Sequence, residues 1–387
     1  MSAIKSSGSR PIAPVADVKS KPLVPIKAWA AFGGLWVAFI LYIWGKWLLG
    51  PYATPVQTGP SVPPGWMSVG LILWQVVMTS AMLVFFYWFL IRPWVRERRL
   101  TTDGILCVAG FLLWFEDPLS NYFSPWITYN SQLANVGSWV NVVPGWMSFG
   151  EPGQQLPEPY LLEPGVYVTL WLTMAALGCA IMRRTKARWP KFGPYRLLLV
   201  CFVALAVFDL VLEGLVMMPM GLFTYVGGAF PILFPNAYHM FPAHEPVFTS
   251  MMFTAVAALR YFKDDRGYTF VERGAEQIQG PKRQGLYRML ALIGATQMSM
   301  FVFYNVPTSV MVATHGRAWP TDAQERSYLT DFICGDGTDR ACPGPAIPLS
   351  KQDRSARVTP RGSLSVPSGT VLPPLVPFDL GAPGHPK

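Results

Sequence analysis

Two pairs of acids interrupt segments that are otherwise apolar: Glu116 and Asp117 in Trp114-Phe115-Glu116-Asp117-Pro118, and Asp209 and Glu213 between Val207 and Leu215. A charged side chain at the centre of a bilayer costs about 2.5–3.5 kcal/mol even on the gentler insertion scale, so acids placed there need a reason. Asp209 and Glu213 are four residues apart, which sets both on one face of a helix. Helical rise puts Glu116 about 18 Å beyond Gly104, and Asp209 about 20 Å beyond Arg196, so the two pairs share one level. No Lys or Arg is expected at that level, and ion pairing does not explain them. Carboxyls crowded at low dielectric cannot all ionise. A neutral carboxylic acid beside an ionised one is what general acid–base catalysis requires.

Three more titratable groups lie near these acids in the reading. His239, His244 and Glu245 fall within Tyr238-His239-Met240-Phe241-Pro242-Ala243-His244-Glu245-Pro246, which takes two of the four histidines in the chain. Two His with several carboxylates could hold zinc or iron. The spacing matches neither HExxH nor ExxH, however, and Pro242 interrupts it, so neither metal nor cofactor is expected. The plainer alternative for the acids is structural: Glu116 and Asp117 close a helix and turn the chain at Pro118, while Asp209 hydrogen-bonds a neighbouring helix. An intramembrane carboxylate cluster also suits a proton or ion path, so a transporter or a lipid- or ligand-binding membrane protein stays open.

The elements that must position these groups are membrane helices. Hydrophobic residues make up 51% of the 387 and charged residues only 14%, against about 25% in soluble domains. That balance excludes an ordinary soluble enzyme, and the 15 Trp, 15 Tyr and 24 Phe exclude a disordered chain. Apolar runs at 28–49, 67–91, about 104–118, 164–182, 195–218, 246–262 and 286–306 predict an all-α, polytopic bundle of about seven transmembrane helices. The runs at 104–118 and 246–262 are short, which leaves six spans as the competing count. Lys and Arg number 5, 4, 6 and 7 in segments 1–27, 92–103, 183–196 and 260–288, and none in 50–66, 118–162 and 217–245. That alternation predicts a cytoplasmic N-terminus and a multi-pass protein of the cell membrane. The formal +9 therefore records orientation, and no nucleic-acid partner is expected.

Residues 28–307 form the expected membrane domain, with 1–27 a polar cytoplasmic tail and 308–387 a mostly disordered one. Loop 118–162 is too aromatic to be solvated and, with 217–245, is expected to fold over the outer helix ends as a lid. Cys107, Cys179 and Cys201 read as small core residues. Cys334 and Cys342 lie on the outer side, either bridged or as two free thiols.

A further set of stretches occurs in order along the chain. They are Gly50-Pro51-Tyr52, Ile91-Arg92-Pro93-Trp94-Val95-Arg96-Glu97-Arg98-Arg99, Phe115 to Phe123, Thr128-Tyr129-Asn130-Ser131, Pro144-Gly145-Trp146, and Arg183-Arg184 with Lys186-Ala187-Arg188-Trp189-Pro190. In this order the chain resembles the AveC-like spirocyclase family of actinobacterial membrane proteins, from about residue 25 to about 310. The resemblance implies closure of a spiroketal in a polyketide- or lipid-like substrate, or its dehydration, without a cofactor. Such chemistry needs an acid to protonate a departing hydroxyl, a base, and carboxylate and aromatic faces beside the oxocarbenium ion. The charge pattern assigns Asp117 and Asp209 as working acids and Glu116 and Glu213 as their tuning partners, with His244 and Glu245 as secondary candidates. Asn121, Tyr122, Trp126, Tyr129, Asn130, Trp146 and His239 are the expected contacts to an apolar, oxygenated small molecule arriving through the membrane lipids.

Overall fold

The computed structural model describes residues 25–122, 125–145, 155–228, 231–315 and 318–342, and beyond these only the paired strands Arg357–Val358 and Leu364–Ser365. Seven main helices make up the body: α1 Pro25–Leu48, α2 Gly65–Glu97, α3 Thr102–Leu113, α4 Glu163–Arg188, α5 Pro194–Met217, α6 Glu245–Tyr261 and α7 Pro281–Val312. Of these, α1, α2, α4, α5 and α7 are long and apolar enough to cross a membrane. α3 and α6 have 12 and 17 residues.

The expected run at 104–118 is α-helical only as far as Leu113 and continues as a 3₁₀ segment, Trp114–Asn121. Pro118 supplies the reason, since in an α-helix its ring would collide with the carbonyl four residues back, that of Trp114. Each short helix has charges that suit its ends. α4 and α6 both open on Glu-Pro, at Glu163-Pro164 and Glu245-Pro246, with proline where its missing N–H costs nothing and an acid at the positive end. Thr101 caps α3 by accepting from the Gly104 N–H, and Asp103 in its first turn pairs with Arg260 in the last turn of α6 at 2.8 Å.

Lipid and protein faces separate clearly. Leu73, Val76, Leu199 and Val207 on α2 and α5 are each more than half exposed, a surface that suits hydrocarbon and would aggregate in water. α1 and α7 meet at backbone contact, because a Cβ on Gly33 would lie 1.9 Å from the Leu290 carbonyl oxygen. α2, α5 and α7 each contain a π turn, at Phe86–Ile91, Leu210–Met217 and Phe301–Asn305. Such turns widen a helix locally and concentrate at functional sites.

The aromatic loops form a folded cap. β1 (Thr128–Tyr129) pairs antiparallel with β4 (Phe223–Thr224), tying the two loops together, while β2 (Asn135–Gly137) pairs with β3 (Pro157–Pro159). Trp126 and Trp139 are fully buried, and their indole N–H groups donate to the carbonyls of Ser120 and Phe115 in the 3₁₀ segment. Residues 318–342 strap this cap from outside. Thr128 donates to the Leu329 carbonyl at 2.7 Å, the Ser131 N–H donates to that of Tyr328, and Cys334 is bonded to Cys342. This part of the segment read from sequence as a tail is therefore packed, with Trp319 and Tyr328 buried. The remaining tail residues lie almost wholly outside the described residues.

Candidate functional site

Under the cap lies a cavity of about 70 Å³, lined by Asp117, Tyr129, Glu163 and Tyr167 together with Glu213, Tyr225, Glu245 and Tyr304. The 3₁₀ segment delivers Asp117, the Glu-Pro starts of α4 and α6 deliver Glu163 and Glu245, and the π turns of α5 and α7 deliver Glu213 and Tyr304. Elements that stop or deviate just at this level thus converge on one space.

The lining residues form two hydrogen-bonded sets. Asp117 accepts from Tyr167 at 2.6 Å and from Tyr129 at 2.8 Å, and the Tyr129 hydroxyl also meets Glu163. In the second set, Glu213 accepts from Tyr225 at 2.9 Å and Glu245 accepts from Thr249. Glu245 also lies close to Asp209 and Glu213, and carboxyls crowded in this way at low dielectric cannot all ionise. Asp209, Glu213 and Glu245 each offer an oxygen within 4.8 Å of the others, an all-oxygen set of the kind hard divalent cations accept.

Among the described residues, no Lys or Arg forms an ion pair with these groups. The ion pairs among the described residues, such as Arg260–Asp103 and Arg288–Glu272, involve none of the cavity acids. In the cap, burial and then the charges of Asp117 and Glu163 push the Glu158 carboxyl well above its ordinary value. Burial, followed by the charge of Asp117, raises the Tyr129 phenol, and burial with Glu213 and Glu245 raises that of Tyr225. Both phenols therefore stay neutral and serve as fixed donors to carboxylates. Burial alone lowers His244 to about 4, which keeps its imidazole neutral at ordinary pH.

The expected residues divide into several groups. Asp117, Glu213, Glu245 and Tyr129 line the cavity itself. Asp209 stands behind it, 2% exposed, in contact with Glu245. Glu116 points elsewhere and accepts from Asn305 of α7 at 2.9 Å. Trp126 stacks on Tyr225 with ring centres 4.8 Å apart and lies against His244, so both residues form the roof of the second acid group. Asn121 accepts from the Trp126 and Ile127 N–H groups, and Asn130 donates to the Gly221 carbonyl, so both amides hold cap backbone. Tyr122 donates to the Pro144 carbonyl on the outer side of the wall, and His239 packs against Phe234 and Tyr238. Trp146 lies outside the described residues.

Sequence reasoning did not select Glu158, Glu163, Tyr167, Tyr225 or Tyr304. A signal existed for Glu163: Glu-Pro at the outer start of an apolar run occurs there as it does at Glu245-Pro246. The tyrosines carry no mark that separates them from the other aromatics.

Fold and site together define a helical protein with five helices long and apolar enough to cross a membrane, and a carboxyl-lined cavity beneath a folded cap. A family model described as Spirocyclase AveC-like matches residues 97–329, most of the chain and nearly all of the site-forming elements. The chain belongs to the AveC-like spirocyclase family, which supports a cyclase-type activity in general terms. No curated protein and no solved structure matches it.

Proposed function

We propose that the protein is a membrane-embedded enzyme that closes a spiroketal, or removes water, from a polyketide- or lipid-like substrate by acid–base catalysis. One observation carries this reading: two sets of carboxyls, Asp117 with Glu163 bridged by Tyr129 and Glu213 with Glu245, line one buried cavity. Spiroketal closure begins when one hydroxyl arm adds to a ketone, giving a hemiketal. An acid then protonates the hemiketal hydroxyl, water leaves, and the second arm attacks the oxocarbenium ion while a base takes its proton. The Asp209–Glu245–Glu213 group, whose crowded carboxyls cannot all ionise, suits the acid role. Asp117, fixed by two phenol donors, suits the base and the stabilising anion. Tyr129, Tyr225 and Tyr304 supply aromatic faces for the cation.

In this reading the chain crosses the membrane seven times from a cytoplasmic N-terminus. α3 with its 3₁₀ continuation would be about 34 Å long, enough to span despite its break. Mass spectrometry of cell extracts with and without the gene tests the reaction. The expected result is a ketone-diol that accumulates without the gene and a product lighter by one water that appears with it. A solute moved across vesicles and left chemically unchanged would favour transport instead.

A further inference from the structure

A second space lies on the lipid side of the same wall. A groove of about 760 Å³ opens between α1 and the outer part of α7, with Trp36 and Phe39 on one side and Phe301, Asn305 and Ser309 on the other. The contrast in volume is decisive. Ligand pockets for drug-sized molecules span about 300–1,000 Å³, whereas about 70 Å³ holds only a few waters. A ketone-diol large enough to form a spiroketal therefore cannot occupy the closed acid cavity, and the groove can take it.

Groove and cavity are lined by the same two helical segments. From the π turn of α7, Tyr304 lines the cavity while Asn305 lines the groove. From the 3₁₀ segment, Asp117 lines the cavity while Leu119 lines the groove. Glu116 and Asn305 join these two segments through the amide N–H bond to Glu116 Oε2 at 2.9 Å. That bond orients the amide and leaves Asn305 Oδ1 without a partner, on a residue only 3% exposed. Glu116 Oε1 is likewise buried and unpartnered. Buried acceptors left unpaired cost about 1–3 kcal/mol each, so a donor that reaches them gains correspondingly.

We propose that this groove is a lateral binding site for an apolar, hydroxyl-bearing molecule dissolved in the bilayer, its hydroxyl donating to Asn305. Resting on the enzyme reading above, the same groove is the port to the acid cavity, with the Glu116–Asn305 bond as its gate. The unpaired Asn305 oxygen selects the class of occupant. An amide oxygen only accepts, so an alcohol satisfies it whereas an ether, an ester or a bare acyl chain does not. A phospholipid tail is therefore the disfavoured occupant.

Photolabelling of the full chain in phosphatidylcholine nanodiscs tests this, with a diazirine-bearing hexadecanol as probe and its O-methyl ether as the comparison. The alcohol should label peptides of the α1 and α7 groove walls more than the ether, by about 2- to 10-fold, the worth of one hydrogen bond. Asn305→Leu should remove that preference. Leu35→Trp, at a lipid-exposed position on the groove wall, should suppress labelling by both probes without disturbing the fold. Equal labelling by alcohol and ether, a preference that survives Asn305→Leu, or labelling unchanged in Leu35→Trp would each overturn the proposal. Asp117→Asn separates the two readings, because it should label like the unaltered protein while losing turnover. Normal turnover in Leu35→Trp would sink the port and leave the acid chemistry standing.

Discussion

The crossing of α1 and α7 holds both the Glu116–Asn305 bond and the groove, and glycine is what permits it. A Cβ added at Gly33 would sit 1.9 Å from the Leu290 carbonyl oxygen and 2.9 Å from the Gly294 nitrogen, whereas one added at Gly34 would meet nothing within 4 Å. The same substitution at neighbouring positions should therefore act in opposite directions. Gly34→Ala removes a poor helix former and should stabilise by up to about 1 kcal/mol. Gly33→Ala makes the same propensity gain but must push the helices apart by more than 1 Å, since the contact is far inside van der Waals range. Overpacking a tight site costs about 1–3 kcal/mol, and a clash with backbone belongs at the upper end because backbone cannot rotate away. The two variants should thus differ by about 2–3 kcal/mol once the propensity gain common to both is removed. Thermal unfolding of both in one detergent measures this directly, with Gly33→Ala melting several degrees lower. Equal melting temperatures would refute the crossing, and with it the placement of Asn305 against Glu116.

Three other outcomes follow from named contacts. Tyr167→Phe and Tyr129→Phe each remove one donor to Asp117; hydrogen bonds to charged groups are worth about 1.5–3 kcal/mol, so turnover should fall by about 10- to 100-fold in either variant. His244, ordinarily near 6.5, is held at about 4, so between these values only the unfolded chain takes up the proton. Stability should be full above about pH 6.5 and decline by about 3 kcal/mol as pH falls to about 4. Unfolding across that range, compared with His244→Phe, reads the effect as a flatter acid side in the variant. Cys334→Ser removes a cross-link closing a short loop, at a cost of about 2–3 kcal/mol to the strap. Limited proteolysis should then cut within 318–342 in the variant before it cuts the unaltered chain.

The acids were legible from sequence because hydrocarbon makes each one expensive, so Asp117, Asp209 and Glu213 stood out against apolar neighbours, as did Glu245 at the start of its run. Their division into two hydrogen-bonded groups was not legible. It depends on where α3 gives way to its 3₁₀ continuation and on the π turns of α5 and α7, which leave no periodic trace in an apolar run. Glu163 falls just before the run at 164–182 and was not selected, although its Glu-Pro start matches that of Glu245. Asn121 and Asn130 show the converse. A polar side chain in an aromatic loop resembles a ligand contact, but a water-poor cap has its own backbone N–H and C=O groups to satisfy, and the two amides serve those. The strap at 318–342 was read together with the Pro-, Gly- and Ser-rich stretch that begins at 343, and its order comes from burial of Trp319 and Tyr328 against the cap.

The central claim is that carboxyls of both acid groups lining the capped cavity perform the reaction. Once the gene-dependent product is identified, its formation rate should be measured in cells carrying Asp117→Asn or Glu245→Gln, at equal amounts of membrane-inserted protein. Each variant keeps the shape of its side chain and removes one acid–base group, and such groups contribute about 100- to 10,000-fold, so each should lose at least about 100-fold in rate. Rates within a few-fold of the unaltered protein in both variants would contradict the account.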